Sequence, residues 1–68
     1  MKYGTVKNWD SSKGFGFILS DDDEDLFVHS NDLDPRVGER RLREGQRVRF
    51  DVRREMKGDR AVNVQLVN

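Results

Sequence analysis

The stretch that decides the fold runs from Gly14 to His29. It reads Gly14-Phe15-Gly16-Phe17-Ile18-Leu19-Ser20, then the acidic connection Asp21-Asp22-Asp23-Glu24-Asp25, then Leu26-Phe27-Val28-His29. Successive side chains on a strand point to opposite faces of the sheet. Alternation therefore puts Phe15 and Phe17 on one face of residues 14–20, with Gly16 and Ile18 on the other. On residues 25–29 it groups Phe27 with His29, and Leu26 with Val28. One side of this pair of strands is aliphatic and suits an interior. The other shows three phenylalanines and a histidine beside Lys13.

Working outward, the flanking segments carry strand signals too. Residues 2–10 (KYGTVKNWD) hold Tyr, Thr, Val and Trp, side chains that suit a pleated, half-buried surface. Asp10-Ser11-Ser12-Lys13 supplies turn chemistry for a hairpin into residues 14–20. Residues 46–54 (QRVRFDVRR) alternate, with Val48, Phe50 and Val52 on one side and Arg47, Arg49, Asp51 and Arg53 on the other. Residues 60–67 (RAVNVQLV) alternate likewise and predict Val62, Val64 and Leu66 on one face. Met56-Lys57-Gly58-Asp59 reads as the last turn. The longest gap, residues 30–45, contains Asp34-Pro35, Gly38 and Gly45, which leave room for only a single helical turn near Asn31–Leu33. Short strands with frequent turn signals predict an all-β barrel or sandwich. Five strands in 68 residues suit a five-stranded antiparallel barrel, one domain over residues 1–68, with no repeats and no linker.

Composition narrows the function. A chain of 68 residues buries only about 60% of the surface it exposes when unfolded, so its fold must be efficient. No cysteine is present, which excludes disulfide staples, thiolate metal sites and cysteine nucleophiles. His29 is the only histidine, so neither a metal nor another cofactor is expected. Those residues leave little from which to build an active site, and no Gly-x-x-x-x-Gly-Lys-Ser/Thr phosphate loop occurs. The chain reads as a non-enzyme. No apolar run approaches the ~20 residues of a membrane span, and Met1-Lys2-Tyr3-Gly4-Thr5 has no hydrophobic stretch of signal-peptide type. The expectation is a soluble cytoplasmic protein with no membrane partner. The formal net charge is zero, but residues 1–34 set three lysines against eight carboxylates and residues 35–68 set ten cations against five, giving −5 and +5.

Three exposed phenylalanines are costly, since full burial of each is worth roughly 1.5–3 kcal/mol. Base stacking is a use that offsets the cost, at about 1–3 kcal/mol per base and with any sequence. Gly14 and Gly16, lacking side chains, are expected to let a nucleic-acid strand approach the sheet. If the rings formed the core instead, Ile18, Leu26 and Val28 would face solvent, which moves the problem without solving it. The other use for such a patch is docking a protein or a second copy, so a protein-interaction module is the alternative.

At this point the chain resembles a known family. Lys13-Gly14-Phe15-Gly16-Phe17-Ile18 resembles the first RNA-binding motif of cold-shock domains, and Leu26-Phe27-Val28-His29 the second. Gly4-Thr5-Val6-Lys7 is similar to the opening strand, Glu44 to Val52 to the fourth strand, and Ala61-Val62-Asn63-Val64 to the last. The resemblance implies a five-stranded OB-fold barrel. It implies a binder of single-stranded RNA and DNA, usually with pyrimidine preference, acting as an RNA chaperone or antiterminator. It places binding roles on Lys7, Lys13, Phe15, Phe17, Phe27 and His29. A monomer is expected, with a strand-swapped dimer as the other form.

Departures from the pattern are informative. The family usually has Trp then Phe after the first-strand lysine, where this chain has Asn8 and Trp9. A shift of one residue moves a side chain to the other face of a strand, so Trp9 is a candidate binding residue that also fits a place at the barrel rim. Ser30 stands where Phe is common, and the long loop carries Arg36, Arg40 and Arg41 where another Phe is common. Arg36 and Arg40 are therefore candidates for guanidinium stacking or phosphate contact. Binding weaker than the family's, or different in specificity, is expected. The acidic run 21–25 reads as a solvated loop, and Arg47, Arg49 and Arg53 as its pairing partners.

Overall fold

The computed structural model describes residues 1–67. Five strands form in chain order: β1 (Lys2–Asp10), β2 (Phe15–Ser20), β3 (Asp25–His29), β4 (Arg47–Arg53) and β5 (Arg60–Leu66). They close into a barrel in the order β1-β2-β3-β5-β4. All pairings are antiparallel except the one that closes the barrel, where β3 meets β5 in parallel at Phe27↔Arg60. Closure removes the unpaired sheet edges that would otherwise template aggregation.

The inward residues are those that alternation predicts on β2, β3 and the first part of β4. Ile18, Leu26, Val28, Val48 and Phe50 are fully buried, joined by Val6 of β1. Leu33, Val37 and Leu42 from the long connection complete the core. That connection is tied down by backbone pairing of Leu33 with Val64. It holds a 3-10 turn at Ser30–Asp32, one residue earlier than expected, and a second at Gly38–Arg40 that the sequence reading did not anticipate. Glu39 and Arg40 in the second turn take left-handed backbone angles, with φ of 58° and 50°.

β5 departs from its expected alternation. Ala61 and Val64 are buried, Val62 is half-buried, and Leu66 is exposed, so Val62, Val64 and Leu66 do not share a face. The cause is a bulge: β4 and β5 slip register between Arg49↔Gln65 and Asp51↔Val62. Asn63 sits in the slip with φ of 52°, a left-handed conformation that Asn tolerates better than most residues. Its Nδ2 donates to Asp51 Oδ2 at 3.2 Å. Past the slip, Val52 is only half-buried and packs against the core from its margin.

Candidate nucleic-acid interface

β2 and β3 build the outer face. Their register sets Phe15 opposite His29 and Phe17 opposite Phe27, with Gly16↔Val28 and Ile18↔Leu26 between them. Residues directly opposite share a face, so four rings stand together outside while the aliphatic side chains fill the barrel. Phe27 is the hub. Its ring lies 5.6 Å from Phe15 at 35° and 5.9 Å from Phe17 at 76°, distances at which aromatic pairs attract. Phe17 is 37% exposed, and Phe15, Phe27 and His29 are half-buried. The imidazole caps the first 3-10 turn: Nδ1 accepts from the Asn31 amide at 3.0 Å. In the neutral ring this leaves the proton on Nε2.

β1 borders this face and carries a second bulge. Its register with β2 slips between Val6↔Ile18 and Asn8↔Phe17, leaving Lys7 as the extra residue. Asn8 is therefore opposite Phe17 and exposed, on the aromatic side. Trp9 is opposite the buried Gly16, and its indole is half-buried against the core. The sequence candidate Trp9 thus does not join the rings. Its Nε1 is buried with no hydrogen-bond partner among the described residues.

The glycines serve a different purpose from the one expected. Gly16 is buried, and a Cβ there would lie 2.2 Å from the Asn8 carbonyl oxygen and 2.9 Å from Trp9 Cα. The absent side chain lets the bulged β1 approach β2, not a ligand. Gly14 ends the turn with φ of 73°. That turn is organised by Asp10, whose Oδ1 accepts from the Ser12 hydroxyl at 2.7 Å and from the Ser12 and Lys13 amides. These bonds, the Ser12 hydroxyl foremost, hold the Asp10 carboxyl below its usual range.

The cations divide. Lys13 is exposed beside Gly14 and Phe15, with no carboxylate partner among the described residues. Lys7 is exposed and reaches Asp25 only at 3.4 Å. Arg40 and Arg41 share a cleft with Trp9, Gly14 and Ser30, at the end of the ring face, and Arg41 is paired with Glu39 at 2.7 Å. Arg36 lies elsewhere. Its guanidinium makes a two-pronged contact with Asp34, at 3.0 and 3.2 Å, in a cleft shared with Arg49, Gln65 and Leu66 of β4 and β5. That fork holds it away from the rings, so Arg36 leaves the candidate set on geometry.

The acidic run is a pairing hub. Asp21 holds Arg47 at 2.8 Å, Asp22 and Glu24 both hold Lys2, and Glu24 also holds Arg54. Of the three arginines expected to pair with carboxylates, only Arg47 does so among the described residues; Arg49 donates to the Gln65 amide oxygen at 2.9 Å. The Lys2 ammonium, then the Ser20 hydroxyl, lower the Asp22 carboxyl to about 2.

Sequence reading missed Arg60. It forms the strand partner of Phe27, its guanidinium lies 5.8 Å from that ring's centre, and Asp32 holds it at 2.6 Å. No local signal marks it, because only the parallel closure of β3 on β5 brings the two residues together. Among the described residues no group of His, Cys, Asp and Glu is placed to hold a metal ion. No helix is long and apolar enough to cross a membrane.

A closed five-stranded barrel in this strand order, with aromatic rings on the outer face of β2 and β3, defines a nucleic-acid-binding barrel of the OB type. The family description "'Cold-shock' DNA-binding domain" matches residues 2–67, and the chain belongs to the cold-shock domain family. It is 45% identical over 65 residues to Cold shock protein CspC of Bacillus subtilis, covering 96% of this chain and 97% of that protein. It is 42% identical over 64 residues to a Major cold shock protein of Streptococcus pyogenes, covering 94% of each chain. It is 45% identical over 65 residues to Cold shock protein 2 of Lactiplantibacillus plantarum, covering 96% of this chain and 97% of that protein. Proteins of this family bind nucleic acid and are not enzymes, and that holds for this chain.

Proposed function

We propose that this barrel binds single-stranded RNA or DNA by stacking bases on Phe15, Phe17 and Phe27, with His29 beside them. Lys7, Lys13 and Arg40 neutralise phosphates at the borders of the face. The observation that carries the reading is the cluster of three mutually packed phenylalanines left outside a core that is complete without them. Stacking engages the π face of any base, so the platform accepts many sequences. Binding the unpaired strand pulls RNA secondary structure toward single strand by mass action, with no nucleotide hydrolysis. The role that follows is an RNA chaperone or a regulator of transcription or translation, acting in the cytoplasm as a monomer.

The test is anisotropy of labelled seven-nucleotide oligo-dT and oligo-U with the wild type and with Phe15→Ala/Phe27→Ala. Each lost ring is expected to cost about 1–3 kcal/mol of binding, so the double variant loses about 100-fold or more while its circular dichroism stays that of a folded barrel. Equal binding by wild type and the folded double variant sinks the proposal. Binding by neither, with competition for the patch by protein instead, replaces it with the interaction-module reading.

A further inference from the structure

We propose that one end of the stacking face is a base-selective subsite, which takes a base carrying an exocyclic amino group, guanine foremost, in preference to uracil or thymine. The inference rests on the single-strand reading above and adds a specificity to it. Between β3 and the β4–β5 connection lies an open cleft of about 450 Å3, within the size range of small-ligand sites. Phe17 and Phe27 form its floor, and Arg60 stands over the Phe27 ring as its wall. Its rim is made by the carboxylates of Asp25, Glu55 and Asp59.

The hydrogen-bonding capacity left over in this cleft is almost all acceptor. A carboxylate accepts and does not donate. Asp59 is engaged by Arg54, but Asp25 is approached by Lys7 only at 3.4 Å and Glu55 by Arg60 only at 3.7 Å. The donors are committed. Arg60 is spent on Asp32, the Gly58 amide on the Glu55 carbonyl at 3.1 Å, and the Phe27 amide on the Asp59 carbonyl at 3.2 Å. Only the exposed Lys57 ammonium has no carboxylate partner among the described residues.

Three carboxylates repel a phosphate, so the strand presents a base here and keeps its backbone outside. A base seated on the phenylalanines turns its Watson–Crick edge toward the rim. Uracil offers two carbonyl oxygens around one N–H, and those oxygens meet carboxylates unfavourably. Guanine offers N1–H and N2–H2 side by side, which match the two oxygens of one carboxylate, and charge-assisted bonds of this kind are the strong ones. Cytosine and adenine each bring one amino group.

The experiment is competition anisotropy with heptauridylate and the same strand carrying one central guanine or cytosine, using wild type, Asp25→Asn/Glu55→Gln, and Glu44→Gln as a remote carboxylate control. The guanine strand is expected to bind wild type about 10-fold more tightly than heptauridylate, with cytosine between them. The ratio should fall to about one in the double amide variant and stay unchanged in Glu44→Gln. Removing negative charge strengthens binding of every strand alike, so the ratio separates base selection from bulk electrostatics. Equal affinity of wild type for guanine and uridine strands overturns the subsite and leaves the stacking platform standing. A guanine preference that survives in the amide variant also overturns it. Failure of every strand to bind wild type removes the platform and the subsite together.

Discussion

Three residues separate packing from binding. Phe27 touches both other phenylalanines and Arg60, whereas Phe15 meets only Phe27 among the rings. Phe27→Ala should therefore cost about 1–2 kcal/mol of stability through lost aromatic pairing, besides its loss of affinity. Phe15→Ala should lower affinity with a smaller change in Tm, and paired melting and binding curves check the difference. Trp9 gives the opposite expectation. Its buried, unpartnered Nε1 is a cost that Trp9→Phe removes, set against the smaller volume of the new ring. Stability should change by less than about 1 kcal/mol, and affinity for oligo-dT should stay at the wild-type value. A tenfold loss of affinity in Trp9→Phe would return the indole to the binding surface. At Gly16 a methyl group meets backbone on β1, so Gly16→Ala should cost about 3 kcal/mol. A chain of this length has a total of only about 3–10 kcal/mol, and thermal melts will show the loss directly.

Elements were legible where the strand period held, and illegible where a bulge broke it. On β2 and β3 an unbroken alternation puts Phe15, Phe17, Phe27 and His29 outside, as the sequence predicts. On β1 the Asn8-Trp9 shift marks the changed face, but only the slip at Lys7 shows that Asn8 takes the outward place opposite Phe17. On β5 nothing in Arg60-Ala61-Val62-Asn63-Val64 announces the slip, because alternation of valines reads as a regular strand. The signal is a single Asn, a residue equally at home in a turn. The long connection hid its second 3-10 turn for a related reason, since left-handed Glu39 and Arg40 contradict local preference and are set by the fold. Asn63 makes this testable. Asn63→Gly should be close to neutral, since glycine accepts φ of 52° freely. Asn63→Val forces a β-branched side chain into that conformation and should cost about 1–3 kcal/mol. Similar Tm values for the two variants would mean that β5 runs without its bulge in solution.

At the scale of the molecule, the opposed charges of the two halves are joined by the fold. Arg47 to Asp21, Arg54 to Glu24 and Arg60 to Asp32 each tie the cationic second half to the acidic first half. The zero net charge that argues against nucleic-acid binding in the sequence is thus largely consumed in pairs away from the rings, and Lys13 and Arg40 keep their charge for a ligand. The same pairs predict the response to acid. Asp10, Asp21, Asp22, Glu24 and Asp34 all titrate below their ordinary values, chiefly through hydrogen bonds from Ser12, Arg47, Lys2, Lys2 and Arg36 respectively. A carboxyl whose value is depressed by folding stabilises the fold fully above its unfolded value, near 4, and loses that contribution as pH falls through the folded value. Asp22, lowered to about 2, is among those that hold out through the descent. Lys2, raised by the Asp22 and then the Glu24 carboxylate, runs the other way: its contribution is complete below about 10.5 and fades above it. Tm should therefore be nearly flat from about pH 5 to about pH 9 and fall progressively from about pH 4 to about pH 2. The pairs are exposed, so 1 M salt, with a Debye length of about 3 Å, should weaken them and shrink the acid-induced fall. A Tm that holds constant down to about pH 3 would show that these pairs do not form in solution, and that the barrel stands on its core alone.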